Sequence, residues 1–267
     1  MDLEIIGYCC ALVVGISMGM LGAGGAILTI PIMVYLFHVE PVLATVYSLF
    51  IVGSTAFAGS INYIRQGLIN IKSSLLFAIP AVIIMFAMRK LVVPAIPGEF
   101  DIAGVHVLKG TFILGFFSIV LLFSSMSMIF GGVKKEKEHN SLTGKEKLIL
   151  ILSGAGTGII TGMIGAGGGF IIIPALVLLA KMPMKEAVGT SLIIITINSL
   201  TGFAGDLTGS YEINWALILT FLLISIAGIF IGSVLVKKVA SAKLKVAFGW
   251  FILAMGIYIF IKEIFLK

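Results

Sequence analysis

The sequence predicts an all-α integral membrane protein built from two inverted repeats. Each repeat reads as a glycine-broken re-entrant helical hairpin plus about three transmembrane helices, giving eight apolar segments in total. Three observations lead there: the composition, a stretch that occurs twice, and the distribution of basic residues.

Of the 267 residues, 60% are apolar and 11% charged, and the mean hydropathy is +1.20. A soluble domain is about one quarter charged, so the chain is read as embedded in the lipid bilayer along its whole length. In a soluble protein the balance of +6 would suggest nucleic acid. Here it is assigned to cytoplasmic loops that orient the chain, and no nucleic acid partner is expected. Cys9 and Cys10 are neighbours in the first apolar stretch and are read as small packing residues. The start, Met1 to Glu4, has no basic stretch, so no signal peptide is expected.

The apolar segments fall at about 5–37, 42–62, 74–88, 110–130, 148–180, 187–205, 213–236 and 246–261. A helix crosses a bilayer in about 20 residues. The third segment is short unless Leu91 to Ile96 extend it past Arg89 and Lys90. The first and fifth are too long for one span. The polar stretch 131–147 reads as a basic cytoplasmic linker between a first repeat, 1–130, and a second, 148–267.

The repeated stretch lies inside those two long segments. Gly15 to Pro31 and Gly158 to Pro174 are 143 positions apart and agree at ten of seventeen positions. The matched core comprises Gly22, Ala23, Gly24 and Gly25 in the first copy, and Gly165, Ala166, Gly167 and Gly168 in the second. Paired, matched breaks of this kind are the pattern of a secondary transporter.

Basic residues choose between topologies. If all eight segments cross once, nine of the eighteen Lys and Arg lie inside, which is no bias. If segments one and five are hairpins that return to the side they entered, thirteen lie inside and five outside. The hairpin arrangement satisfies the positive-inside rule. It leaves three crossings per repeat, an odd number, which inverts the second repeat relative to the first. Both hairpins are then expected to face inward, because irregular backbone at membrane depth must be surrounded by protein or water.

At each break a glycine run lets the chain turn, and the helix that restarts presents unpaired N–H groups and a positive dipole end. Two such ends are expected to meet near the midplane and form an anion site. Gly15, Gly19, Gly158 and Gly162 instead suit close helix packing. After each hairpin, Ser48, Thr55 and Asn62 are spaced by seven, and Ser191, Asn198 and Gly205 repeat the spacing. Ser48, Thr55, Ser191 and Asn198 are the candidate hydrogen-bond donors to a small anionic substrate.

Apart from Arg89 and Lys90 near a segment end, the apolar segments contain no Asp, Glu, Lys, Arg or His, which argues against a deep carboxylate proton relay. Asp206 and Glu212 read as solvated loop residues, with Asp206 a candidate for gating. No metal site, cofactor or catalytic constellation is expected. The glycine run lacks the Lys and Ser/Thr that a phosphate-binding loop places after its glycines.

The pattern G-x-x-x-G-x-x-G-A-G-G at Gly15–Gly25 and Gly158–Gly168, with A-x-x-[TY]-S-L at Ala44–Leu49 and Ala187–Leu192, resembles the sulfite exporter TauE/SafE family of permeases over essentially the full length. The resemblance implies a bacterial or archaeal inner-membrane transporter of small sulfur-containing anions such as sulfite or sulfonates, working outward. The expected function is therefore anion export across the cytoplasmic membrane by a non-enzyme. A channel-like anion pore and a membrane-embedded lipid phosphatase are the alternatives. Glycine-rich faces permit a homodimer.

Overall fold

The computed structural model describes residues 2–22, 24–102, 105–130, 143–165, 167–207, 212–236, 239 and 241–264. In chain order, α1 (Asp2–Leu21) and α2 (Gly24–Tyr35) form the first hairpin. They are followed by α3 (Pro41–Arg65), then α4 (Ile71–Ala87), which a π-helical turn (Met88–Val92) joins to α5 (Val93–Ala95). A short antiparallel ribbon, β1 (Glu99–Ile102) and β2 (Val105–Leu108), precedes α6 (Lys109–Phe130). The second half comprises α7 (Gly144–Ile164), α8 (Gly169–Pro174) continued by a π-helical turn (Ala175–Leu179), α9 (Met184–Asp206), α10 (Trp215–Leu235) and α11 (Ser241–Ile264).

Eight helices among the described residues are long and apolar enough to cross a membrane. The third span runs from Ile71 to Ala95, so Leu91 and its neighbours do extend it past Arg89 and Lys90. Residues 97–109, which have no counterpart in the second repeat, contain the β-ribbon. Most of the expected linker, 131–142, lies outside the described residues, as do Ala23 and Ala166.

Helix starts follow local chemistry. Pro41 opens α3, where a missing N–H costs nothing, and the Glu40 carboxylate accepts from the backbone N–H groups of Val42 and Leu43. Asn70 and Asn214 cap α4 and α10 by accepting from Ser73 and Leu217. Thr143 and Glu146 form a reciprocal capping box at α7.

The halves interlock through small residues. Gly15 and Gly19 of α1 lie against Gly228 and Gly232 of α10, where added Cβ atoms would strike backbone. Gly154, Gly158 and Gly162 of α7 meet Phe77, Ala81 and Met85 of α4 in the same way. Gly15, Gly19, Gly158 and Gly162 have the packing role read for them, and Gly154, Gly228 and Gly232 share it, since small residues let helix backbones approach closely in lipid. At the centre α3 and α9 run antiparallel: Gly59 faces Leu192, Gly53 faces Ser199 and Leu200, and Gly202 faces Leu49. Each of these two helices is two-thirds buried over its most apolar window.

The first hairpin returns to the level it left. Gly7 lies against the Phe37 ring, and Tyr8 stacks edge-on to Phe37 at 5.3 Å. Its outgoing limb is nonetheless a full-length helix of 20 residues, with a return of 12. In the second half α7 has 21 residues. Cys9 is exposed and Cys10 half-buried, so Cys9 does not pack inside the bundle.

Candidate functional site

Both breaks are built alike. α1 and α7 end in a left-handed glycine, Gly22 at φ 71° and Gly165 at φ 73°. Each donates its N–H four residues back, to Met18 at 2.7 Å and to Thr161 at 2.8 Å. This is the left-handed helix cap that only glycine adopts without strain. In the second break Gly167 and Gly168 are left-handed as well, and Gly168 then starts α8.

The breaks do not meet end to end as the sequence reading expected. Gly22 packs on Val188 and Ser191 of α9 and on Ile173, beside α8 rather than at its first residue. Gly165 packs on Thr45, in the second turn of α3. The antiparallel register puts Ser191 roughly level with Ser60, whereas Gly165 and Gly167 lie level with Thr45 and Val52, so along α3 the first break sits about 8–15 residues, or about 12–22 Å, from the second at 1.5 Å per residue. The return helices α2 and α8 lie against each other, with Gly22 beside Ile173.

Their surroundings differ. At the first break the Tyr63 hydroxyl donates to the Gly19 carbonyl at 2.6 Å, satisfying a free end of α1. Ser191 donates to Val188 O at 2.8 Å. The second break is charged. Arg89 Nη2 lies 3.3 Å from Asp206 Oδ2, with the two side chains 4% and 9% exposed. Both terminal nitrogens of Arg89 also reach Thr45 Oγ1 at 3.2 Å. A side chain at Gly165 would collide with Arg89 Nη2 and Thr45, and one at Gly167 with Ser199 Oγ.

Asp206 is therefore not the solvated loop residue read from the sequence. It is the last residue of α9, and its charge is balanced by Arg89 from the other half. A second buried carboxylate, Glu263 in α11, accepts from the Tyr35 hydroxyl at 2.8 Å. Both carboxylates lie just beyond the apolar segments read from the sequence, in helix ends that extend past them.

Among the sequence candidates, Ser48, Thr55 and Asn198 are fully buried on the α3–α9 pair, and their side-chain polar atoms make no hydrogen bond. The register places Thr55 and Asn198 at the same level of that pair. Ser199, Thr157 and Thr161 are likewise buried and unbonded, and all three adjoin Gly167 or Gly168. Sequence reading missed these three, although the small hydroxyls of α7 are visible one and two turns before Gly165. An unbonded buried polar group costs about 1–3 kcal/mol. A cluster of them is the arrangement expected of a path for a polar solute. Asn62 lies outside that cluster, since its amide donates to Ser233 Oγ at 2.6 Å. Gly205, its counterpart, packs on Phe86.

A bundle of membrane-length helices enclosing unbonded hydroxyls, an amide and one ion pair defines a polytopic membrane protein of the transporter class. The model of the sulfite exporter TauE/SafE family matches residues 8–259. The chain belongs to that family and is a membrane transporter. It is 36% identical to a probable membrane transporter protein of Methanocaldococcus jannaschii, over 96% of this chain and 93% of that one. It is 28% identical to a probable membrane transporter protein of Xylella fastidiosa, over 92% and 90%. A further relative of the same description, from Bacillus subtilis, is 24% identical over 87% and 90%.

Proposed function

We propose that this protein is a secondary transporter, not an enzyme, that exports a small sulfur-containing anion such as sulfite or a sulfonate across the cytoplasmic membrane. The observation that carries this reading is the set of buried, unbonded polar side chains: Ser199, Thr157 and Thr161 beside the glycines of the second break, and Ser48, Thr55 and Asn198 on the α3–α9 pair. Hydroxyl and amide groups donate to an oxyanion without bringing a competing negative charge. Gly165, Gly167 and Gly168 supply the turns of the second break, Gly22 that of the first, and Gly24 and Gly25 open the return helix there; Ser191 lines the first break.

The antiparallel α3–α9 pair, and the matching of α1 on α10 with α7 on α4, support two inverted repeats, 1–130 and 148–267. Rocking one repeat against the other gives alternating access. The bias of basic residues puts the start of α9 and the end of α3 on the cytoplasmic side. The membrane potential then drives an anion outward, by about 2.3 kcal/mol per charge per 100 mV, so export needs no coupling ion.

The test is anion flux into proteoliposomes under an imposed potential, comparing sulfite, taurine, sulfoacetate, sulfate and chloride. Saturable flux of one sulfur anion is expected. Non-saturating flux of chloride would instead mark a pore, and flux of none would refute the proposal. Gly24→Leu and Gly167→Leu are both expected to abolish flux.

A further inference from the structure

We propose that Arg89 is the charged ligand of the transported anion, and that Asp206 is an internal stand-in that the anion displaces. This deepens the transport reading and rests on it. Three features of the second break carry the inference.

The first is the space around the guanidinium. Gly165 adopts a left-handed φ of 73°, and a Cβ there would fall on Arg89 Nη2. The break is thus shaped to admit the arginine head, and no L side chain fits that conformation without strain. Two residues on, Gly167 lies against the unbonded Ser199 hydroxyl, and Gly168 against the side chain of Thr161, whose hydroxyl is also buried and unbonded. The same glycine break thus touches a cation and side chains with unbonded hydroxyls.

The second is the geometry of the contact between Arg89 and Asp206. The Nη2–Oδ2 distance is 3.3 Å, longer than the roughly 2.7–2.9 Å of a tight charge-assisted bond. A guanidinium offers a planar fork of donors that fits an oxyanion in two-point fashion. A small oxyanion seated there presents the same acceptor chemistry as the Asp206 carboxylate and competes with it for the guanidinium.

The third is where the partners sit. Arg89 belongs to the π-helical turn after α4, in the first half, and Asp206 ends α9, in the second. Burying a lone arginine in this setting is costly, so something anionic must balance it. With no substrate bound, Asp206 fills that role and ties the halves together. A bound anion takes it over, and two negative charges cannot share one guanidinium without repulsion. Asp206 is then pushed off, which frees the end of α9. One turn back, Phe203 stacks with Phe50 at 4.9 Å and with Trp215 at 6.4 Å, so the same displacement loosens the aromatic closure at that end.

The experiment measures equilibrium binding of radiolabelled sulfite to the purified full-length chain, with thermal denaturation in the presence and absence of sulfite. Asp206→Asn removes the competitor without removing volume. It is expected to bind sulfite about tenfold tighter or more, because the binding-competent fraction rises. Its thermal stabilisation by sulfite should likewise exceed that of the unsubstituted protein. Arg89→Gln is expected to lose binding. The exchange Arg89→Asp with Asp206→Arg restores an ion pair and controls for folding. A gain in affinity cannot come from misfolding, so this arm is decisive even if Asp206→Asn is less stable. Equal or weaker binding by Asp206→Asn, or undiminished binding by Arg89→Gln, would overturn the proposal. If Arg89→Gln carries sulfite in proteoliposomes at the unsubstituted rate, this inference fails and the transport reading stands. If the unsubstituted protein neither binds nor carries any sulfur anion, both fail.

Discussion

Gly167→Ala separates a conformational role of the second break from mere packing. Gly167 has a φ of 66°, and placing an L residue there costs about 1–2 kcal/mol. The added Cβ would also overlap Ser199 Oγ and lie 3.3 Å from Val52 Cγ1 and 3.5 Å from Ile195 Cγ2. Forcing a methyl into a packed interior costs about 1–3 kcal/mol. The sum is about 2–5 kcal/mol of destabilisation, on the same scales. Ser199→Ala removes the overlapping oxygen, so the double variant should recover the steric part and retain the backbone strain. Gly115→Ala is the control, since nothing lies within 4 Å of its Cβ position in α6. It is expected to be neutral or slightly stabilising, by about 0.5–1 kcal/mol. Thermal and denaturant unfolding in detergent read all four proteins. A Gly167→Ala variant as stable as Gly115→Ala, or a double variant with no recovery, would refute the reasoning.

Other outcomes follow from the same contacts. Asn198→Leu removes a buried amide that makes no hydrogen bond, so flux should be lost while unfolding stability stays level or rises; a stability loss of several kcal/mol would contradict this. Asn62→Ala removes the bond to Ser233 and should lower stability by about 1 kcal/mol with flux intact. Gly228→Val drives a side chain into the Leu12 carbonyl of α1 and should destabilise the bundle by about 1–3 kcal/mol or more, read by thermal unfolding.

The hairpins, the packing glycines and the polar faces of α3 and α9 were legible in the sequence because the chain carries them twice. A repeat compares each residue with its counterpart 143 positions on. That comparison hides whatever the halves do not share. Arg89 corresponds to Gly232, and Asp206 to Tyr63, so the ion pair has no echo and each charge looked like a segment end. In the structure Tyr63 and Asp206 occupy related positions with different partners, the Gly19 carbonyl and Arg89. Likewise, Asn62 shares the spacing of Ser48 and Thr55, but at the far end of a 25-residue helix its side chain meets Ser233 of α10. Periodicity assigns a face, and only packing says which neighbour covers it.

The most direct test of the central claim is counterflow: proteoliposomes loaded with unlabelled sulfite, diluted into a trace of labelled sulfite, with the unsubstituted protein beside Asn198→Leu. Transient accumulation of label that saturates with internal sulfite, present in the former and absent in an equally folded Asn198→Leu, is the predicted result. Accumulation of equal size in both, or none in either with sulfite or any sulfonate, would contradict the account.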